Sequence, residues 1–92
     1  MFIILMSYFV YMLRTLNRSK SKTYVGFTNN LNMRLERHNT NKGAKSTKGH
    51  KWEIIYSKHF KKKTDAMSYE YKLKKDRKKR ASIIKIHNDS KV

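Results

Sequence analysis

The sequence predicts a small α+β fold, with a three-stranded antiparallel sheet flanked by helices in the order β-β-α-β-α-α. Three short segments are rich in aromatic and β-branched residues, and helix-capping signals occur in the polar stretches between and after them. The length of 92 residues leaves room for one domain. We therefore expect an apolar lead-in over residues 1–6 and a single domain over residues 7–92 with a basic, helical C-terminal segment.

The three strands are predicted at Tyr8–Leu13, Thr23–Phe27 and Trp52–Ser57. The basic segment 14–22 is longer than a tight turn, so the first two strands should form an antiparallel pair joined by a flexible loop. Segment 40–51 is polar, contains two glycines and is predicted to be a second loop.

Three helices complete the prediction. Two asparagines precede Leu31–Asn39 and predict an N-cap for the first helix. Thr64 and Asp65 predict the start of a second helix that runs to about Lys79, with the acid favourable at its N-terminus. A shorter helix is expected around Ala81–His87, with an apolar side made of Ile83, Ile84 and Ile86.

The charge points to a polyanionic partner, because 23 Lys and Arg face 6 Asp and Glu and give a net charge of +17. The absence of cysteine excludes disulfides, a thiolate nucleophile and thiolate zinc sites. This composition fits a reducing compartment, so we expect a cytoplasmic protein, or a nuclear one in a eukaryote. The apolar run Phe2–Leu13 is shorter than the roughly 20 residues that span a bilayer, and no membrane association is expected.

Polar residues on apolar helix faces are the candidates for function. At 100° per residue, Glu70 falls in the core-facing arc between Ala66 and Met67. A carboxylate there is costly unless it is paired, so Glu70 is either a structural partner of an arginine or a metal ligand or general base at a cleft. Arg34 and His38 lie four apart on one face of the first helix, where an arginine suits phosphate and a histidine is either structural or catalytic.

The strands supply tyrosines. By alternation Tyr11 shares a face with Phe9 and Leu13, while Tyr24 shares one with Gly26 on the next strand. The glycine leaves room for a close backbone approach. These tyrosines are either plain core residues or part of a site.

The ordered set resembles the GIY-YIG endonuclease family over about residues 7–80. Phe9-Val10-Tyr11 occupies the place of its first tripeptide, Tyr24-Val25-Gly26 the place of its second, Arg34 matches its helix arginine and Glu70 its metal-binding glutamate. The chain is similar to the small standalone predicted endonucleases and to the nuclease domain of the eukaryotic structure-specific endonuclease catalytic subunit. Further support comes from Arg34-Leu35-x-x-His38-Asn39, Gly43-Ala44-Lys45-x-Thr47 and Trp52-Glu53.

The sequence departs from the family pattern in three places. The first tripeptide reads Phe-Val-Tyr and not Gly-Ile-Tyr, and Phe27 stands where some members carry a lysine after the second tripeptide. Other members carry an asparagine well beyond the glutamate, and Asn88 lies too far along the chain to match it.

The resemblance implies a metal-dependent endonuclease that hydrolyses phosphodiester bonds in DNA, including branched or structured DNA. Glu70 would hold a single divalent cation, Mg²⁺ or Mn²⁺, since the few acids argue against a two-metal site. Arg34 would neutralise the charge at phosphorus, and Tyr11 or Tyr24 would orient or deprotonate the attacking water. His38 would hydrogen-bond a tyrosine or a phosphate.

The expected partner is duplex or branched DNA, together with a partner protein that confers specificity. The lysines predicted to contact nucleic acid are Lys45, Lys48, Lys72, Lys75, Lys78 and Lys79. The alternative is a non-catalytic basic module that binds DNA or RNA, and Glu70 discriminates, because a phosphate binder gains nothing from a carboxylate facing its cationic site. A protein of anionic membrane surfaces is disfavoured, because residues 72–80 are basic nearly all round.

Overall fold

The sheet and helices follow the predicted order β-β-α-β-α-α in the computed structural model, which describes residues 7–90 and confirms the α+β fold class. The predicted lead-in, residues 1–6, lies outside the described residues. The elements are β1 (Tyr8–Thr15), β2 (Thr23–Thr28), α1 (Leu31–Asn39), β3 (Trp52–Phe60), α2 (Lys63–Lys75) and α3 (Arg77–Asp89). Short 3₁₀ turns at Arg18–Lys20 and Lys45–Thr47 lie in the two predicted loops.

The central strand is β1, because the strand order is β2-β1-β3 and both pairings are antiparallel. Tyr11 lies opposite Gly26 on one side and opposite Ser57 on the other. The register against β3 shifts between Met12 and Leu13, which is a β-bulge. The four residues from Val10 to Leu13 are fully buried, so both faces of this strand are covered.

The two faces of the sheet carry different helices. Val10 and Met12 pack on the side of α2 and α3, in a core with Ala66, Leu73 and Ile83. Tyr11 and Leu13 point to the other side, where Trp52, Tyr24 and the α1 leucines Leu31 and Leu35 pack around them. Alternation along β1 therefore places Tyr11 beneath α1, with its neighbours in sequence under α2.

The strands are longer than the sequence predicts. β3 runs to Phe60, three residues beyond the predicted end at Ser57. Its polar residues Lys58 and His59 lie opposite Val10 and Phe9, so the length of β3 is set by pairing with β1 and not by its own apolar residues. β1 and β2 likewise continue to Thr15 and Thr28.

The predicted single helix from Asp65 to about Lys79 is wrong, because Asp76 divides it. The side chain of Asp76 accepts a hydrogen bond from the backbone N–H of Lys79 at 2.9 Å and caps a new helix. The third helix therefore begins at Arg77, earlier than the predicted start at Ala81. An aspartate bonded to the third residue after it is a typical N-cap, and no glycine or proline is needed to end the preceding helix.

The start of α2 also differs from the prediction. The helix begins at Lys63 after Lys62, which makes no side-chain cap, so the predicted caps at Thr64 and Asp65 are wrong. Asp65 lies instead in the first turn, where its charge still favours the helix N-terminus.

Two predicted core residues are exposed, Met67 at 49% and Ile86 at 66%. The buried arc of α2 is centred on Ala66 and Leu73 and is turned toward Tyr69, whose hydroxyl bonds that of Tyr56 on β3 at 2.6 Å. This rotation leaves Met67 outside the core and puts residue 70 at the edge of the buried arc.

Candidate active site

Three of the predicted site residues meet at one hydroxyl. The N-cap Asn30, whose side chain accepts from the Met33 N–H at 3.1 Å, starts α1 over the Tyr11 face of the sheet. His38 is fully buried there, with Nε2 2.8 Å from the Tyr11 hydroxyl. Arg34 Nε donates to the same hydroxyl at 3.4 Å. The spacing of four residues on α1 thus puts Arg34 and His38 on either side of one phenol.

The second tyrosine packs beside this group. The Tyr24 ring lies 4.9 Å from the His38 ring and 6.3 Å from the Tyr11 ring. A Cβ atom at Gly26 would lie 2.5 Å from the Tyr11 hydroxyl oxygen and 3.0 Å from Tyr24 Cε1. The glycine therefore makes room for the two tyrosine side chains, whereas the sequence suggested room for a backbone.

The far side of His38 rests on the loop between α1 and β3. Nδ1 of His38 lies 2.9 Å from Thr47 Oγ1, and Thr47 is itself fully buried. A Cβ atom at Gly43 would lie 2.9 Å from Cε1 of His38, so only glycine fits beside the ring. Sequence reasoning did not assign either residue to the site, although both belong to a stretch that supports the family resemblance.

Glu70 lies at the edge of the same region. Its side chain is 20% exposed, and its carboxylate is 3.4 Å from the ammonium of Lys74, one turn along α2. The ion pair that Glu70 makes within residues 7–90 is thus with a lysine rather than with the arginine considered from sequence. The Glu70 charge also acts on Tyr11, where it contributes to a raised pKa.

Burial sets the protonation states of the central pair. Burial raises the pKa of Tyr11 to about 12, and the hydrogen bond from Arg34 opposes that rise. Burial also lowers the pKa of His38 below its ordinary value of 6.5, with the Arg34 charge acting in the same direction. The hydrogen bond to Tyr11 raises the pKa of Arg34. At neutral pH the site therefore holds a neutral tyrosine, a neutral histidine and a charged arginine.

Two clefts open beside Arg34. The first, of about 370 Å³, is lined by Tyr8, Phe27, Thr28, Asn29, Arg34 and Lys63. The second, of about 190 Å³, is lined by Thr28, Asn29, Asn30, Met33, Arg34 and Arg37. Lys63 and Arg37 were not among the predicted binding residues, although the spacing of three from Arg34 placed Arg37 near the same helix face.

The predicted lysines are all exposed and fall into separate groups. Lys72, Lys75 and Lys78 line a cleft of about 480 Å³ at the junction of α2 and α3, which includes none of the residues around Tyr11. Lys72 and Lys79 also line a groove with Lys58 between α2 and β3. Lys45 and Lys48 flank the turn that carries Thr47.

The departures from the family pattern can be placed as well. Phe27 lines the larger cleft beside Arg34. Asn88 is near the end of α3 and accepts a hydrogen bond from Arg14 at 2.6 Å. Its partner in this hydrogen bond is therefore Arg14 and not Tyr11.

A multidentate metal cage is absent from the described part of the chain, since no three His, Asp or Glu side chains there could share an ion. Glu70 is the carboxylate whose charge reaches Tyr11. One partly exposed carboxylate fits a hard cation that keeps several of its own waters. None of the helices within residues 7–90 is long and apolar enough to cross a membrane.

Comparison with known proteins decides the family. The sequence profile of the GIY-YIG catalytic domain matches residues 7–83. The chain belongs to the GIY-YIG family. The resemblance drawn from the tripeptides, Arg34 and Glu70 is thereby confirmed, and the GIY-YIG domain implies a nuclease-type function on a nucleic-acid substrate.

Small GIY-YIG relatives match most of the chain. A UPF0213 protein of Oceanobacillus iheyensis is 46% identical over 68 residues, which cover 73% of this chain and 76% of that protein. The UPF0213 protein YazA of Bacillus subtilis is 43% identical over 70 residues, covering 74% and 71%. The solution NMR structure of a UPF0213 protein of Bacillus halodurans superposes with a TM-score of 0.51 at 29% identity, covering 88% of this chain and 85% of that one.

Proposed function

We propose that this protein is a metal-dependent endonuclease that hydrolyses phosphodiester bonds in duplex or branched DNA. The buried hydrogen-bonded pair of Tyr11 and His38, with Arg34 on the same hydroxyl, carries the proposal. A neutral phenol hydrogen-bonded to a neutral imidazole can move a proton, which hydrolysis requires and phosphate binding alone does not. The carboxylate of Glu70 near this pair also favours catalysis over the non-catalytic alternative.

We assign Arg34 the role of stabilising negative charge in the transition state. Its half-buried guanidinium is held by Tyr11 and lines both clefts, so a phosphate in either cleft meets a planar, charged fork. A donor fixed in advance stabilises the charge that develops on the phosphoryl oxygens without reorganising.

We assign the two tyrosines and His38 the roles of orienting and deprotonating the attacking water. Tyr24 is half-buried whereas Tyr11 is only 1% exposed, so Tyr24 orients the water and the Tyr11–His38 pair receives its proton. A phenol with a pKa of about 12 is a poor base by itself. His38 Nε2 at 2.8 Å gives the proton of Tyr11 a place to go as Tyr11 takes one from the water.

Glu70 would hold one hydrated divalent cation, Mg²⁺ or Mn²⁺, near Tyr11. When bound, that ion supplies Lewis-acid stabilisation of the phosphoryl and leaving oxygens.

The substrate is held through its phosphates. Lys63 and Arg37 border the clefts beside Arg34, and the predicted lysines at residues 45, 48, 72, 75, 78 and 79 add exposed positive charge in separate groups. Phosphate contacts position a nucleic acid but do not read its sequence. We therefore assign sequence or structure specificity to a partner protein or to the shape of the DNA.

Cleavage of labelled duplex, nicked, flap and branched DNA in Mg²⁺, in Mn²⁺ and in a chelator tests the proposal. Arg34→Ala should reduce turnover by about 10²–10³-fold with a much smaller loss of affinity, and Arg34→Lys should recover little of it. Arg18→Ala removes an arginine that pairs with Glu53 away from the clefts, and it should cut like the parent. Tight, salt-dependent binding without cleavage of any substrate would identify a non-catalytic binding module.

A further inference from the structure

The hydroxyl of Thr47 contacts two groups that compete for its single proton. Its Oγ1 lies 2.9 Å from His38 Nδ1 and 2.8 Å from the backbone oxygen of Ala44. A carbonyl oxygen can only accept, so the hydroxyl proton lies toward Ala44. Placing that proton on the His38 side would leave two oxygens 2.8 Å apart with no hydrogen between them. Thr47 Oγ1 therefore accepts, and His38 Nδ1 carries the proton that it receives.

This direction determines the state of the other ring nitrogen. A neutral imidazole has one N–H, so a proton on Nδ1 leaves a lone pair on Nε2. The Tyr11 hydroxyl at 2.8 Å is then the donor, and its oxygen accepts from Arg34 Nε. The hydrogen bonds run in one direction through Arg34, Tyr11, His38, Thr47 and Ala44.

We propose that Thr47 is a positioning residue that fixes His38 as the Nδ1–H tautomer and so keeps Nε2 free for the proton of Tyr11. The catalytic part of this inference rests on the proposed nuclease function, but the tautomer does not. In the transfer, the O–H bond of Tyr11 breaks and an N–H bond forms at His38 Nε2. At the same time an O–H bond of the attacking water breaks and its proton forms a new O–H bond at Tyr11, so Tyr11 stays neutral and the imidazolium keeps its Nδ1–H bond to Thr47.

The charges nearby act on this transfer in both directions: the Arg34 charge stabilises negative charge on the Tyr11 oxygen but disfavours a charged His38, and the Glu70 charge disfavours negative charge on Tyr11. Arg34 on α1 donates to the Tyr11 oxygen, and Tyr24 on β2 packs against the imidazole at 4.9 Å between ring centres. From α2, the Glu70 charge acts on Tyr11.

The loop holds Thr47 by its backbone, independently of its hydroxyl. The carbonyl of Thr47 accepts from Trp52 Nε1 at 3.0 Å. Trp52 is in turn fixed to Asn39 by two bonds, its N–H donating to Oδ1 at 2.7 Å and its carbonyl accepting from Nδ2 at 3.1 Å. Gly43 closes over the His38 ring on the same side. A substitution that removes only the Thr47 hydroxyl should therefore leave the loop in place.

The first test needs no variant. Long-range ¹H–¹⁵N correlation spectra of the unmodified protein at neutral pH distinguish the two neutral tautomers of His38 by the nitrogen shifts. We expect the signature of a protonated Nδ1 and an unprotonated Nε2. A protonated Nε2 would overturn the inference, whether or not the protein cuts DNA.

The second test compares Thr47→Val, which keeps the shape, with Thr47→Ser, which keeps the hydroxyl. In Thr47→Val the Nδ1 proton loses its acceptor, so His38 should shift toward the Nε2–H tautomer. In serine-protease triads the wrong histidine tautomer costs about 10⁴-fold in turnover. We expect a loss of roughly 10²–10⁴-fold in turnover for Thr47→Val, DNA affinity within about 2-fold of the parent, and near-parental spectra and turnover for Thr47→Ser.

The outcomes separate the two proposals. An Nδ1–H tautomer in a protein that cuts no DNA would support the tautomer assignment and sink the nuclease function. A Thr47→Val protein with a changed tautomer and parental turnover would remove Thr47 from the mechanism. Equal losses in the Ser and Val variants would reduce Thr47 to a packing residue. If Thr47→Val does not fold, the unmodified spectrum and Thr47→Ser still decide.

Discussion

Glu70 and Glu53 are glutamates of nearly equal exposure with different surroundings. Their side chains are 20% and 24% exposed. Glu70 pairs with Lys74 on its own helix and acts on Tyr11, whereas Glu53 accepts from Arg18 at 3.0 Å and His87 at 2.8 Å at the other end of the sheet. Replacing each by glutamine removes one charge and keeps the shape, so the two variants are matched controls for each other.

The contacts predict that Glu70→Gln affects activity more than stability, and that Glu53→Gln affects stability more than activity. The Glu70–Lys74 pair spans i to i+4 on a helix, and such pairs contribute about 0.3–0.5 kcal/mol. Glu53 ties β3 to the β1–β2 loop and to α3, and losing two charge-assisted contacts at a partly exposed site should cost about 1 kcal/mol. If Glu70 holds the cation, Glu70→Gln should abolish cleavage at this small cost, while Glu53→Gln should cut normally.

Three measurements on both variants test this prediction. A loss of 1 kcal/mol lowers the melting temperature of a domain of this size by roughly 4–8 °C, so Glu53→Gln should melt clearly below Glu70→Gln. Titration with Mn²⁺ should show binding to the parent and to Glu53→Gln but not to Glu70→Gln. In gel shifts, Glu70→Gln should bind DNA at least as tightly as the parent, since a repulsive carboxylate has been removed.

Two results would refute the reasoning. A Glu70→Gln variant that cuts DNA like the parent would remove Glu70 from the site. A Glu70→Gln variant less stable than Glu53→Gln would show that its carboxylate is structural.

Three further predictions concern the same surfaces. Burial lowers the pKa of His38 below 6.5, so below that pH the unfolded chain binds a proton at this residue more readily than the folded protein does. The free energy of unfolding should therefore be constant above pH 6.5 and decrease below it. Denaturant titrations of His38→Asn should show a weaker dependence of this free energy on pH. Gly43→Ala should lose about 1–3 kcal/mol in the same assay, because its Cβ meets the His38 ring, and an unchanged stability would contradict that contact. With about 4–6 phosphates engaged, a plot of log affinity for DNA against log salt concentration should have a slope of roughly −4 to −5. Replacing Lys72 and Lys79 by glutamine should make this slope less negative by about 1 per lysine without moving the cleavage positions. An unchanged slope would exclude both lysines from the interface.

The strands and the first helix could be predicted because local signals and tertiary contacts agree there. Tyr8–Thr15 alternates between two covered faces, and Asn30 caps Leu31–Asn39 as its position suggested. The division of the second helix was missed because residues 74–80 are uniformly polar, so no hydrophobic pattern marks the break. Asp76 could have indicated the break, because aspartate is a favoured N-cap residue and its side chain here accepts from the Lys79 N–H.

The candidate site was predicted in part for a similar reason. The spacing of Arg34 and His38 is a local property of a helix, so their shared face could be predicted before the fold was known. The partnership of His38 with Thr47 and Gly43 joins a helix to a loop through contacts that no periodicity encodes. The orientation of Glu70 depended on how far α2 rotates, and Tyr69 sets that rotation through its bond to Tyr56.

Helix α2 therefore couples the fold to the site through its two sides. On one side Tyr69 binds Tyr56 and carries the Lys58 ammonium over its ring at 4.8 Å, which fixes the helix against β3. A different face of the same helix carries Glu70, whose charge acts on Tyr11, and Lys63, which lines the cleft beside Arg34. Because the anchor and the site lie on one rigid element, loosening the anchor should displace Glu70 without touching it. The position of the Glu70 carboxylate therefore depends on the aromatic contact that the preceding residue, Tyr69, makes on another face of the helix.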